Sequence, residues 1–98
     1  MVDLVFEWGE TKNLSNQQKH GLSFDDAIDV FADPFRLTRH DRIENGEARW
    51  QTIGVMGSHR IILVAHTIWD DNDNEIICII SARPVTRRER RDYENQVG

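Results

Sequence analysis

The chain changes its hydrophobic period twice. From Asp3 to Trp8, Leu4, Phe6 and Trp8 fall on one side and Asp3, Val5 and Glu7 on the other, the period of two that marks a short strand. Thr11 to Lys19 ends in good helix formers and stops at Gly21, the residue that best tolerates the left-handed conformation past a helix end. A first helix is predicted over 11–19. Ser23 is placed to cap a second helix over 23–31, with Asp25 and Asp26 in its first turn and Phe24, Ala27, Ile28 and Phe31 as its apolar stripe, until Asp33-Pro34 ends it.

From Phe35 the period returns to two. Strands are predicted over Phe35 to His40, Ala48 to Val55, Arg60 to Trp69 and Glu75 to Ala82. Glu44-Asn45-Gly46, Met56-Gly57-Ser58 and Asp70 to Asn74 supply the turns between them. Such short links cannot make parallel crossovers, so these four strands should form an antiparallel meander in sequential order. The last two are apolar on both faces and belong centrally, under helices. Thr86-x-x-Glu89 fits a capping box and opens a third helix over 86–95. The fold class expected is α+β: an antiparallel meander flanked by helices, in a single domain over residues 1–98.

The passage from the last strand into the third helix draws attention because five of the ten arginines, Arg83, Arg87, Arg88, Arg90 and Arg91, lie within nine residues although the chain carries a net charge of −5. That balance argues against coating nucleic acid by bulk charge but leaves room for a local basic site that meets an anion or an acidic partner. The aspartates at 25, 26, 29 and 33 and at 70, 71 and 73 stand apart from the arginines. No apolar stretch is long enough to span a bilayer, and the N-terminus lacks the basic start and apolar run of a secretory signal, so no membrane role and a cytoplasmic location are expected. A lone cysteine, Cys78, suits a reducing compartment and reads as core filling.

Candidate chemistry is sparse. Asp70, Asn72 and Asn74 alternate like calcium ligands, but the sixth-position Gly and twelfth-position Glu are missing, which leaves a hairpin turn. Histidines at 20, 40, 59 and 66 without close pairs give zinc little support, and no metal or cofactor is expected. His66, on the strand face of Arg60, Ile62, Val64 and Ile68, is either a satisfied core histidine or a general acid or base. Lys19 and His20 are either helix-dipole partners or cations for a ligand. Arg88 with Asp92 and Arg90 with Glu94 can pair along the last helix; Arg87 and Arg91 repel one another unless an anion or acidic partner lies opposite. Arg83, at the strand exit, either points into a site or pairs with a carboxylate.

Taken in order, Phe6-Glu7-Trp8 with Lys12-Asn13, Lys19-His20-Gly21-Leu22-Ser23-Phe24, Val30-Phe31-x-Asp33-Pro34, Gly46-Glu47-x-Arg49, Ile53-Gly54, His66-Thr67, Ile79 to Arg83 and Thr86 to Arg90 resemble the BrnT family of bacterial toxins, collinearly from about residue 4 to residue 94. The resemblance implies a RelE-like fold and a ribonuclease toxin of a type II toxin–antitoxin pair that inhibits translation and growth without a metal. It also implies neutralisation by a BrnA-like antitoxin with a ribbon-helix-helix part, through which alone the complex would reach operator DNA and repress its own operon. Trp69 departs from the pattern where many members have a basic residue, and Pro84 departs after Arg83.

RNA cleavage without metal needs a base for the 2′-hydroxyl, cations for the phosphate and an acid for the leaving oxygen. Residue type and predicted strand position nominate His66 as acid or base and Arg49 and Arg83 as phosphate-stabilising groups. Lys19, His20 and Arg60 would be supporting RNA-binding cations, and Arg87 and Arg91 antitoxin contacts. The competing expectation is a non-catalytic module, a degenerate toxin that binds antitoxin and modulates operator binding; Trp69 and the acidic balance favour it.

Overall fold

The structure, a computed structural model, describes residues 3–97. Strands β1 (Asp3–Glu7), β2 (Leu37–Glu44), β3 (Glu47–Met56), β4 (Arg60–Asp71) and β5 (Asn74–Pro84) form one open sheet in the order β1-β5-β4-β3-β2. The four strands after Phe35 make the antiparallel meander that their short links require. The first strand, whose place the alternation leaves open, adds to β5 in parallel, from Asp3 opposite Asn74 to Glu7 opposite Cys78, so the sheet is mixed. At the β2–β3 hairpin Asn45 and Gly46 both take positive φ, 52° and 77°, the backbone a two-residue turn between twisted strands demands.

Helix α1 (Glu10–His20) ends as expected on Gly21, whose φ of 71° closes the last turn. The second helix differs from expectation. Ser23 caps it through Asp26 N, but the α-helical part, α2 (Phe24–Ala27), lasts four residues and tightens to a 3-10 helix over Ile28–Ala32. Phe24, Ala27 and Val30, all fully buried, recur every three residues, which is the period of the tighter coil. Helix α3 (Arg87–Val97) opens on the capping box: Glu89 N donates to Thr86 Oγ1, and Thr86 N to Glu89 Oε1. No helix among the described residues is long and apolar enough to cross a membrane.

The two faces of the sheet are covered unequally. On one, Phe24, Ala27, Val30 and Phe31 pack on Ile62, Val64, Ile77, Ile79 and Ala82. On the other, α3 covers one end only, with Tyr93 over Ile53 and Leu63. Asp33 ties these parts together, accepting from Tyr93 Oη at 2.5 Å, Val55 N at 3.0 Å and Phe35 N at 2.9 Å. Burial alone would raise the Asp33 pKa, but these bonds and Arg36 hold it below its usual value; burial, then the bond to Asp33, pushes Tyr93 up to about 12. Among the described residues, no helix covers the remainder of the α3 face.

Candidate functional site

β1 pairs with β5 only as far as Cys78, and α1 takes over the edge beyond it. Asn16 acts there as a piece of strand: its Nδ2 donates to Ala82 O at 2.9 Å and its Oδ1 accepts from Ala82 N at 3.1 Å. The same Nδ2 reaches Leu22 O, while Asn13 Oδ1 accepts from Phe24 N at 2.9 Å, so two buried asparagines satisfy backbone groups that would otherwise be stranded. Lys12, Ser15, Asn16 and Lys19 recur at i, i+3, i+4 and i+7 and so form one stripe of the helix. Together with His20 they form one wall of a groove of about 460 Å³ whose other wall is Ile80, Ser81 and Arg83. Each charged side chain lining it is basic.

A second depression, of about 480 Å³, adjoins the first and shares Lys12 and Ile80 with it. The register shift between Ala65 and His66 leaves Ile80 as the extra residue of β5, a bulge that joins the two. The floor follows the ladder of the sheet: Glu7 lies opposite Cys78 and Cys78 opposite Thr67, and Arg49 sits one residue before Trp50 where Trp50 faces His66, one residue before Thr67. Val5, Ile76 and Trp69 form the neighbouring, apolar rung. Four carboxylates (Glu7, Glu47, Asp70, Asp71) line this depression against two cations, Lys12 and Arg49. Two polar atoms beneath it are buried without a partner among the described residues, Arg49 Nε and Thr67 Oγ1. Arg49 reaches Glu47 and Glu44 only loosely, through Nη2 at 3.7 and 3.9 Å.

The residues nominated from sequence therefore separate. Lys19, His20 and Arg83 meet in the basic groove, and Arg49 stands in the adjoining depression. Arg83 is already engaged: its Nη1 and Nη2 donate to the two carboxylate oxygens of Glu89, each at 2.8 Å, holding Glu89 at a pKa of about 2. Arg60 lies elsewhere, in a depression with Asp26, Asp29 and His59. His66 is 1 % exposed and edge-on to Phe31, on the face opposite α3. Its Nδ1 is 3.2 Å from Thr67 O, which can only accept, so Nδ1 carries the proton and Nε2 accepts from Thr52 Oγ1 at 2.7 Å. Thr52 in turn accepts from Thr38 Oγ1 at 2.9 Å. Burial lowers the His66 pKa, which favours this neutral ring.

On α3, Arg90 pairs with Glu94 at 3.5 Å, but Asp92 turns to Arg39 of β2 at 3.0 Å rather than to Arg88. Arg87 and Arg91 are exposed and form no ion pair among the described residues. Sequence reasoning gave no role to Lys12, Ser15 or Thr67. The helical spacing of Lys12, Ser15 and Lys19 was a usable signal, and strand parity already set Thr67 on the face opposite His66.

Residues 8–89 match the family described as the ribonuclease toxin BrnT of type II toxin-antitoxin systems. The fold is similar to the crystal structure of the Brucella abortus ribonuclease toxin BrnT, with a TM-score of 0.60 and 23% identity over 88% of this chain and 100% of that one. No match is found among curated proteins. The structural likeness speaks for the fold and the family match covers most of the sequence: the chain belongs to the BrnT family of ribonuclease toxins of type II toxin-antitoxin systems.

Proposed function

We propose that this chain is an endoribonuclease toxin that cleaves RNA in the basic groove between α1 and β5. The observation that carries the reading is the composition of that groove: Lys12, Lys19, His20 and Arg83 converge on one cleft with no carboxylate in its lining. RNA presents one anionic phosphate per nucleotide, and protein cations can do the electrostatic work without a metal ion. In this reading His20, not the enclosed His66, handles the proton. It takes the proton of a 2′-hydroxyl as that oxygen attacks phosphorus; the bond to the 5′-oxygen breaks, and a proton returned to that oxygen leaves a 2′,3′-cyclic phosphate and a free 5′-hydroxyl. Lys19 and Arg83 stabilise the charge gathered on the phosphoryl oxygens, with Arg83 held in place by Glu89. Arg49 serves the adjoining nucleotide.

Cleavage of cellular RNA would inhibit translation and growth in the cytoplasm. A BrnA-like antitoxin with a ribbon-helix-helix part would neutralise the toxin and carry the complex to operator DNA. The exposed Arg87 and Arg91 pair is proposed as its contact, because burying two like charges four residues apart needs acidic groups opposite them.

One observation favours the non-catalytic alternative, a degenerate toxin that only binds antitoxin: Arg83 is engaged with Glu89. Induced expression with and without the adjacent antitoxin gene product separates the two. Growth arrest relieved by the antitoxin supports the ribonuclease, and unimpaired growth with a stable antitoxin complex supports the binding module.

A further inference from the structure

The depression beside the basic groove has properties that phosphate binding does not explain. Carboxylates outnumber cations in its lining, so it repels an anion. Beneath its floor two polar atoms, Thr67 Oγ1 and Arg49 Nε, are buried without partners among the described residues, while the terminal nitrogens of Arg49 are held only loosely, Nη2 lying 3.7 Å from Glu47 and 3.9 Å from Glu44. A guanidinium so loosely paired, its side chain 21 % exposed, can donate to a ligand with acceptor atoms. One wall is the indole of Trp69, 56 % exposed on the same face, beside Ile76. An aromatic plate next to polar groups of both signs is the environment in which a neutral, planar heterocycle binds.

We infer that this depression is a base-recognition subsite that takes a guanine of the RNA substrate, stacked on Trp69 and read between Arg49 on one side and Glu7 on the other. The inference rests on RNA being the substrate. Guanine offers acceptors, O6 and N7, on one edge and N–H donors on another. The terminal nitrogens of Arg49 meet the first. Glu7 faces them across Cys78, with the Cα atoms of Glu7 and Arg49 separated by three strand spacings, roughly 14 Å, which leaves room for one base between two long side chains. Guanine alone joins two acceptors on one edge to two N–H donor groups, N1 and N2, on another, a pair that matches the two oxygens of the Glu7 carboxylate; cytosine offers a carboxylate only its N4 amino group. Lys12 lines both depressions, so a nucleotide with its base here has its phosphate directed into the basic groove.

The test is a titration of the whole chain with the four nucleoside 3′-monophosphates, followed by isothermal titration calorimetry, with inorganic phosphate as the control. Guanosine monophosphate is expected to bind roughly tenfold more tightly than the other three. Glu7→Gln and Trp69→Ala should each abolish that preference while leaving the phosphate response; both residues are exposed, so neither variant threatens the fold. RNA cleaved preferentially beside guanine supports the subsite. Equal binding of all four nucleotides overturns it, and RNA cleavage without base preference would then leave the ribonuclease reading standing. A guanine preference in a chain that cleaves no RNA supports the pocket and removes the ribonuclease. Loss of antitoxin binding in Trp69→Ala, with no nucleotide bound by the wild type, makes this face a protein-docking surface and overturns the inference.

Discussion

Arg83 and Glu89 face each other through two hydrogen bonds of 2.8 Å, one from each terminal nitrogen, and this fork fastens the end of β5 to the first turn of α3. Glu89 also accepts from Thr86 N, so one carboxylate closes both the ion pair and the helix cap. Glu89→Gln is expected to cost about 1–2 kcal/mol, the scale of a lost cap together with a partly exposed charge-assisted pair. In a domain of this size that lowers Tm by roughly 4–8 °C per kcal/mol. The Glu89 pKa is held at about 2, below its usual 4.5, so the stabilisation is present above pH 4.5 and lost as pH falls toward 2. Thermal melts of wild type and Glu89→Gln should converge in that acidic window; parallel curves would refute the assignment.

A different acid sensitivity belongs to His66. Burial lowers its pKa from 6.5, so the folded protein resists a proton that the unfolded chain accepts, and stability falls as pH drops below about 6.5. His66→Gln should remove that component of the pH dependence. His66→Ala should cost about 2–4 kcal/mol, because it opens a cavity against Phe31 and strands the Thr52 hydroxyl. A His66→Ala protein with unchanged melting temperature but no RNA cleavage would restore this histidine to the mechanism.

Gly54 sits where β3 meets the 3-10 helix, and a Cβ added there would lie 3.0 Å from both Val30 Cβ and Val30 O and 3.3 Å from Asp33 Oδ2. Two of those contacts are with a fully buried residue and the third is with a carboxylate already bonded to Tyr93 and Val55. Gly54→Ala is expected to destabilise by about 1–3 kcal/mol, measurable by chemical denaturation, through overpacking. A neutral result would mean that the 3-10 helix moves aside without penalty.

Much of this architecture is legible in the sequence because it rests on local rules. Period-two alternation and short turns define the meander, Gly21 and Ser23 mark helix ends, and Thr86-x-x-Glu89 marks the last helix start. The parallel pairing of β1 with β5 is not local: it joins residues 3–7 to residues 74–78, and nothing in either segment names its partner. The same limit explains the site. Strand parity puts His66 and Thr67 on opposite faces but cannot say which face a helix covers, and coverage encloses the histidine while opening the threonine's side to a groove. Nor could spacing show that Arg83, six residues before Glu89, is engaged by it, although pairing with a carboxylate was one of its two readings.

Arg87 and Arg91 supply the prediction for the partner. Reversing both, Arg87→Glu with Arg91→Glu, should weaken the antitoxin complex by roughly tenfold or more, since charge reversal turns attraction into repulsion across the interface. Titration calorimetry at two salt concentrations would read both the affinity and its ionic component. Unchanged affinity would make this side of α3 a solvated surface.

The central claim is that the α1–β5 groove cleaves RNA with His20 as the proton-transferring group, and cleavage of end-labelled RNA by purified protein in the presence of a chelator tests it most directly. Wild type should cut and leave 2′,3′-cyclic phosphate ends. His20→Ala should cut about 10²–10⁴-fold more slowly at an unchanged melting temperature. Wild-type rates in a folded His20→Ala protein, or cleavage that the chelator abolishes, would contradict the account.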